Sequence, residues 1–393
     1  MRALVSGASI AGPATAFWLR RSGFEVTVVE KAAAVRSGGY PIDVRGTALE
    51  VVRRMGVLPQ LQAADVESRR LTFLNTDGSV AASVHPQHVV GGVDGQDLEI
   101  RRGDLTDVLY EAVREDVEFV FGDSIEALDE RADGVRVTFR SGVERDFDLV
   151  VGADGLHSRT RELVFGPEAG FHRYLGFCFA GFTMPNTFGL SHEAVMWNAP
   201  GKGAILYGVE DGETVHAFLD LACPQPADAL LRDPDAQRAM IAEAFAGDGW
   251  EIPKMVEAMQ EADDLFFDTV SQIRMPAWSR GRVALVGDAA HAPSFLSGQG
   301  SSLALVGAYE LARALATHAD HAEAFAAYEA GTREFVELNQ ALVDEGDAVM
   351  FPATAEALET RNAELRSLPG ELPETGRFEH SALTLPEWPV ALA

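Results

Sequence analysis

Residues 3–30, ALVSGASIAGPATAFWLRRSGFEVTVVE, constrain the fold more than any other stretch of the chain. A short apolar run, ALVS, meets the turn GASIAG. A small-residue helical stretch follows, closes at Gly23, and leads into a β-branched strand ending in Glu30. Strand, glycine turn, helix and strand make one βαβ unit, whose crossover is expected to be right-handed. Such a unit commits the chain to an α/β fold with a parallel sheet.

The turn carries chemistry as well as geometry. Gly7, Ser9 and Gly12 occupy the G-x-G-x-x-G positions, with Ser9 as a small replacement for the second glycine. The first glycine serves the tight turn, the second position lets backbone approach a pyrophosphate, and the third lets helix pack on strand. The helix N-terminus, with Ile10 and Ala11 beside it, then presents unpaired N–H groups to phosphate. Glu30, followed by Lys31, ends the second strand where a carboxylate can accept hydrogen bonds from ribose hydroxyls.

Further along, IRRGDLTDVLYEAVRE has the apolar spacing of a helix, and VEFVFG, GVRVTF and FDLVVGADG read as strands. Residues 171–222 contain longer strands (FCFAGFTM, GAILYGV, TVHAFLDL), and 226–262 are helical in pattern. GRVALVGDAAH is a strand ending in a turn, followed by two long helices to about residue 345. The remainder, interrupted by Pro and Glu, is weakly patterned. There is no internal repeat.

Asp154-Gly155 and Gly287-Asp288 each end a strand. Alone, either reads as an ordinary turn. Taken with the first glycine turn, their order and spacing resemble the flavoprotein monooxygenase family. Its single-component hydroxylases include para-hydroxybenzoate hydroxylase and, more similar here, the tetracycline-inactivating monooxygenases. Asp154, Gly155, Ser158 and Arg161 match the family's D-G-x-x-S-x-x-R. Gly287, Asp288, His291, Gly298 and Gly300 match its G-D-A-A-H-(x)6-G-x-G. Arg102 in IRRGDL and the segment SGGYPIDVRG also resemble family segments.

The resemblance implies a Rossmann-like FAD-binding domain (GR2-type) over 1–72, 99–170 and 275–345. It would be interrupted by a β-rich substrate domain over 73–98 and 171–274, with a C-terminal segment over 346–393. The implied activity is an FAD-dependent, NADPH- or NADH-consuming hydroxylation of an aromatic or polyketide-like molecule by O2, through a flavin C4a-hydroperoxide. The alternative on the same scaffold is a reductase or oxidase of a polyprenyl or amine substrate. No second G-x-G-x-x-G domain is visible for the nicotinamide, which fits transient docking.

The resemblance assigns non-covalent FAD contacts to Gly7, Ser9, Ile10, Ala11, Gly12, Glu30, Lys31, Arg102, Asp154, Gly155, Gly287 and Asp288, and to Gly298, Gln299, Gly300, Ser301 and Ser302. Within that set Asp288 is a ligand of the ribityl hydroxyls. The helix opening at Gly298–Ser302 favours the negative charge that reduced flavin gathers at N1 and O2. Arg36, Arg45, Pro293 and Phe295 are candidates for the flavin face or the substrate. No protein side chain is expected to be catalytic in its own right. Two positions depart from the family: Phe295 stands where proline is common, and Ser302 where asparagine is common. His291 is read as a structural, hydrogen-bonding histidine. FHRYLGFCFAGFTM and Trp197 suggest an apolar, aromatic-lined pocket.

The formal charge of −28 disfavours nucleic acid and anionic membrane surfaces as partners. No charge-free run of about 20 apolar residues is present for a membrane helix, and no signal-peptide pattern opens the chain. A cytoplasmic monomer or homodimer is expected. Cys178 and Cys223 form no C-x-x-C pair, and the pairs His85/His88 and His318/His321 lack a third ligand, so no metal is expected.

Overall fold

The computed structural model describes residues 1–35, 38–93, 95–209 and 212–389. Arg36 therefore lies outside the described residues. A six-stranded sheet runs in the order Ser279–Arg280, Val283–Leu285, Leu149–Gly152, Arg2–Ser6, Glu25–Glu30, Glu118–Phe121. All neighbours pair in parallel except the first two strands. Leu4 and Val5 are fully buried, as expected of a parallel sheet covered on both faces. The helices Ala11–Arg21 and Gly300–Thr317 lie together against this sheet.

A second sheet of seven strands runs Phe266–Ile273, His172–Pro185, Thr214–Ala222, Lys202–Gly208, Glu193–Ala199, Arg70–Leu74, Val80–Val84. Period-two alternation gives it two faces. Phe182, Leu206 and Leu219 on one face pack against Ile241, Met255 and Met259 of the helices Pro234–Ala244 and Ile252–Glu261. Phe177 and Phe179, on the other, pack against Leu296, Val343 and Phe351. Trp197 is fully buried, packed with the helix-covered cluster, and its indole N–H donates to the Thr76 carbonyl at 3.1 Å. It is core rather than pocket wall.

The weakly patterned tail contains a helix, Ala355–Ser367, capped by Thr354 through the Ala357 N–H. Its inward stripe is Leu358, Arg361, Asn362 and Leu365. The two polar members break the apolar period, and they are buried because they have partners. Arg361 donates to Asn198 and to the Val349 carbonyl, and Asn362 donates to Asn75. Beyond it the chain returns to the helices Ala11–Arg21 and Gly300–Thr317, where Trp388 packs on Trp18 at 4.6 Å and on Tyr309 at 5.3 Å.

Candidate active site: a dinucleotide cleft

Four parallel strands end at one edge of the six-stranded sheet, and each delivers a motif there. Ser6 runs into Gly7, Glu30 closes its strand, Gly152 leads to Asp154, and Leu285 leads to Gly287-Asp288. Ligands of open α/β sheets bind at this carboxyl edge. The contacts are tight. A Cβ on Gly7 would lie 2.4 Å from the Ala153 carbonyl oxygen, and one on Gly12 would lie 1.9 Å from the Gly7 oxygen. A Cβ on Gly287 would lie 2.9 Å from Ala11 Cβ. Missing side chains thus let three sequence-distant turns touch.

Glu30 is half-buried, and its carboxylate accepts from the N–H groups of Ala8 (2.9 Å) and Ala32 (2.8 Å), which ties the glycine turn to the second strand. Lys31 is exposed, and Ile10 is half-buried just before the helix that begins at Ala11. Arg102 opens the helix Arg102–Glu111 and donates to the Ser9 hydroxyl at 3.0 Å.

Asp154 accepts from the Ser158 hydroxyl (2.5 Å) and from the N–H and hydroxyl of Thr160 (both 2.9 Å). Its carboxylate orders the start of the helix Arg159–Phe165, while Gly155 beside it faces open space. Arg161, fully buried, donates to the carbonyls of Ala289 (3.0 Å) and Leu156 (2.6 Å) and pairs with Glu168 at 2.5 Å. It locks the loop after Asp154 to the loop after Asp288.

Asp288 is solvent-accessible yet enclosed by protein, the setting of a side chain lining a deep cleft. Desolvation raises its pKa, opposed by Arg102 and Arg161. The Gly300–Thr317 helix begins beside it, so its first N–H groups face the same space. The hydroxyls of Ser301 and Ser302 are already engaged. Ser301 donates to the Asp43 carbonyl (2.8 Å), and Ser302 accepts from the Arg45 N–H (3.1 Å), leaving their own N–H groups for an anion. Gln299 is buried with neither polar atom of its side chain partnered among the described residues.

Arg45 is buried against Gly298 in an ion pair with Asp43, a residue outside the expected set. Burial pushes the Asp43 carboxyl up to about 7, against the lowering effect of Arg45. The signal available in the sequence is its place in IDVR, shortly after the two glycines. Also unanticipated are two buried glutamines. Gln272 donates to the Pro293 carbonyl at 3.0 Å, and Gln340 donates to the carbonyls of Ile273, His291 and Ala292. Together they set the path of the chain from Asp288 to Phe295.

His291 is buried between Trp278 (4.7 Å) and Tyr328, and desolvation lowers its pKa to about 3, so it is neutral. Phe295 stands 40% exposed, edge-on to Phe179 at 5.1 Å. Among the described residues no group of three or more His, Cys, Asp or Glu is placed to hold a metal ion, and no helix is long and apolar enough to cross a membrane.

Residues 1–342 match the family model described as an FAD binding domain. The chain belongs to this family. A flavin-dependent monooxygenase from an unknown prokaryotic organism is 39% identical over 364 residues, covering 91% of this chain and 93% of that protein. A second, from Legionella longbeachae, is 36% identical and covers 86% of this chain and 87% of its own. Among solved structures, the tetracycline destructase Tet(55) superposes with a TM-score of 0.82 at 36% identity, over 95% of this chain and 98% of its own. The protein is an FAD-dependent monooxygenase with the α/β architecture of that group.

The cleft fits the cofactor. The cradle at Gly7 and Gly12 is too close for any side chain, Asp288 is accessible within an enclosure, and Gln299 keeps unpartnered polar atoms near the helix start. If Asp288 holds the ribityl hydroxyls, as its motif implies, replacing it by alanine removes charge-assisted hydrogen bonds of about 1.5–3 kcal/mol. FAD affinity should fall roughly 10- to 100-fold. The melting temperature of the FAD-free protein should change little, because the side chain is solvent-accessible. Flavin fluorescence titration with FAD-free melting checks both, and unchanged affinity would contradict the assignment.

Proposed function

We propose that the enzyme takes electrons from NADPH or NADH and inserts one oxygen atom of O2 into a flat aromatic or polyketide-like molecule. The observation that carries this reading is the aromatic cluster where the Asp288–Phe295 loop meets the seven-stranded sheet. Phe295, 40% exposed, stands edge-on to Phe179 at 5.1 Å and 6.3 Å from Phe351, which stacks 4.7 Å from Phe177. The neighbouring structure's name gives tetracycline, a polycyclic polyketide, as the compound that protein destroys. That chemistry suits such walls.

In this reading residues 1–72, 99–170 and 275–345 carry the cofactor, and 73–98 with 171–274 carry the substrate. The Gly7–Gly12 turn and the following helix start hold the pyrophosphate, Glu30 the adenosine ribose and Asp288 the ribityl chain. The N–H groups at Gly300–Ser302, with Arg45 nearby, face the edge of the ring system where negative charge collects on reduction. When bound, FAD supplies the redox chemistry and the activation of O2. The protein binds and orients both partners and excludes water. The working state is a cytoplasmic monomer or homodimer.

Two measurements test this. An aromatic or polyketide substrate should accelerate NAD(P)H oxidation by the holoenzyme, and compounds lacking a flat ring system should not. Phe295→Ala should leave FAD binding nearly unchanged while lowering product and raising hydrogen peroxide formed per NAD(P)H, because a wider, wetter site protects the oxygenating species less well. Equal coupling in parent and variant would remove Phe295 from the site.

A further inference from the structure

The two cysteines of the chain, 45 positions apart, meet in the seven-stranded sheet. Cys178 lies within the strand His172–Pro185. Cys223 directly follows the neighbouring strand Thr214–Ala222, and its N–H donates to the Gly176 carbonyl at 2.9 Å. Their Sγ atoms stand 3.2 Å apart, and both are free thiols. Regular pairing does not oppose them, since Cys178 faces Leu221 and Phe177 faces Ala222. The strand is irregular at this point. On its other side the pairing passes from Tyr174–Ser271 to Cys178–Thr269, four steps against two, and Gly176 within the bulge has φ +95°. Bulges re-aim side chains, and this one brings the Tyr174 hydroxyl to the same point. Its Oη lies 3.2 Å from Cys223 Sγ and 3.7 Å from Cys178 Sγ, and it donates to the Cys223 carbonyl at 2.7 Å.

The two thiols differ in access and in acidity. Cys178 is fully buried, whereas Cys223 is half-buried between exposed Ala222 and the exposed pair Pro224 and Gln225. A Cβ on Gly176, beside it, would meet nothing within 4 Å. In the neutral pair Cys223 donates to Cys178; once ionised, it accepts from Cys178 instead. That bond, with help from Tyr174, draws the Cys223 thiol down to about 6, while the same bond and burial push the Cys178 thiol up. An accessible thiolate with a second thiol in reach is the arrangement that peroxide oxidises to a disulfide. Bond formation requires the sulfurs to close by roughly 1 Å.

We propose that Cys223 and Cys178 form a reversible oxidation site, at which hydrogen peroxide converts the thiol pair to an intrachain disulfide. The Cys223 thiolate attacks one peroxide oxygen and the O–O bond breaks. Hydroxide leaves and takes up a proton, and Cys223 becomes a sulfenic acid. The Cys178 sulfur then attacks the Cys223 sulfur, the S–O bond breaks, and water leaves with the Cys178 proton. Two thiols and one peroxide thus give one disulfide and two waters. The bond joins two strands of the sheet at Cys178, between Phe177 and Phe179, which pack against Leu296 and Phe351. The step needs no organic substrate, so its failure leaves the substrate reading untouched.

Reduced holoenzyme is treated with hydrogen peroxide, and thiols are counted after denaturation alongside the intact mass. The parent should lose both thiols and the mass of two hydrogen atoms, run as a single chain on a non-reducing gel, and recover both thiols with dithiothreitol. Cys178→Ala should stop at the sulfenic acid and take up one dimedone. In Cys223→Ser the Cys178 thiol should disappear at least about tenfold more slowly than the parent's thiols, because it is buried and protonated. Flavin absorbance and circular dichroism establish that both variants are folded. A parent that keeps both thiols overturns the proposal, as does a disulfide that joins two chains. Oxidation of Cys223 with Cys178 still free removes Cys178 as the partner. Loss of the Cys178 thiol from Cys223→Ser at the parent rate removes Cys223 as the attacking group.

Discussion

Gly12→Ala should yield a protein that retains no FAD and melts far below the parent. The added Cβ would sit 1.9 Å from the Gly7 carbonyl oxygen and 2.9 Å from its carbon, both backbone atoms of the turn itself. No side chain can rotate away to relieve such a contact, so the helix Ala11–Arg21 must back off the sheet. Overpacking ordinarily costs about 1–3 kcal/mol, and a clash with backbone belongs at or beyond about 3 kcal/mol on that scale. The helix start would move out of phosphate reach with it. Gly23→Ala is the control. Gly23 has φ +84° at the far end of the same helix, and a methyl group there would meet nothing within 4 Å. It should cost about 1 kcal/mol of left-handed strain and keep the flavin. Urea unfolding of both variants, with the flavin absorbance of each preparation, separates the two effects. A yellow, parent-like Gly12→Ala protein would contradict the placement of the pyrophosphate.

Arg161→Met should be nearly as damaging, for a different reason. The guanidinium is fully buried and holds the carbonyls of Ala289 and Leu156 together with the Glu168 carboxylate. Removing it leaves both carbonyls unanswered and Glu168 to its exposed-side partner, His157 at 2.8 Å. Breaking a buried pair costs about 3–5 kcal/mol. The lower figure applies because the Glu168 side chain is 31% exposed and its charge is partly screened. Ala289 follows Asp288, so FAD should leave at a lower temperature than the protein unfolds. The parent should show the two events closer together. Flavin fluorescence and far-UV circular dichroism followed in one thermal scan give both curves, and coincident parent-like curves would contradict the clamp.

These two residues show what sequence can reveal about such a site. Gly7, Gly12 and Gly287 are legible because backbone contact forbids a side chain, and that constraint survives as a local pattern. Arg161 is legible only through the family's spacing, since nothing local says that an arginine after a turn will be fully buried. Asp43, Gln272 and Gln340 escape a reading of the sequence because the groups around them come from distant segments: Gly298, Pro293 and Ala292. The Ala355–Ser367 helix is hidden because Arg361 and Asn362 occupy its buried stripe, and polar residues there are satisfied by Asn198 and Asn75 across the fold. Trp197 suggests a pocket wall and is core instead, because aromatic content alone does not say which face of a strand is covered by helices.

The most direct test of the central account is oxygen labelling. Holoenzyme is supplied with NAD(P)H, a substrate that accelerates its oxidation, and isotopically labelled O2 in unlabelled water. The account predicts a product carrying one labelled oxygen atom, with the other released as labelled water. A product whose new oxygen derives from solvent, or full conversion of O2 to hydrogen peroxide with the organic compound merely dehydrogenated, would contradict it.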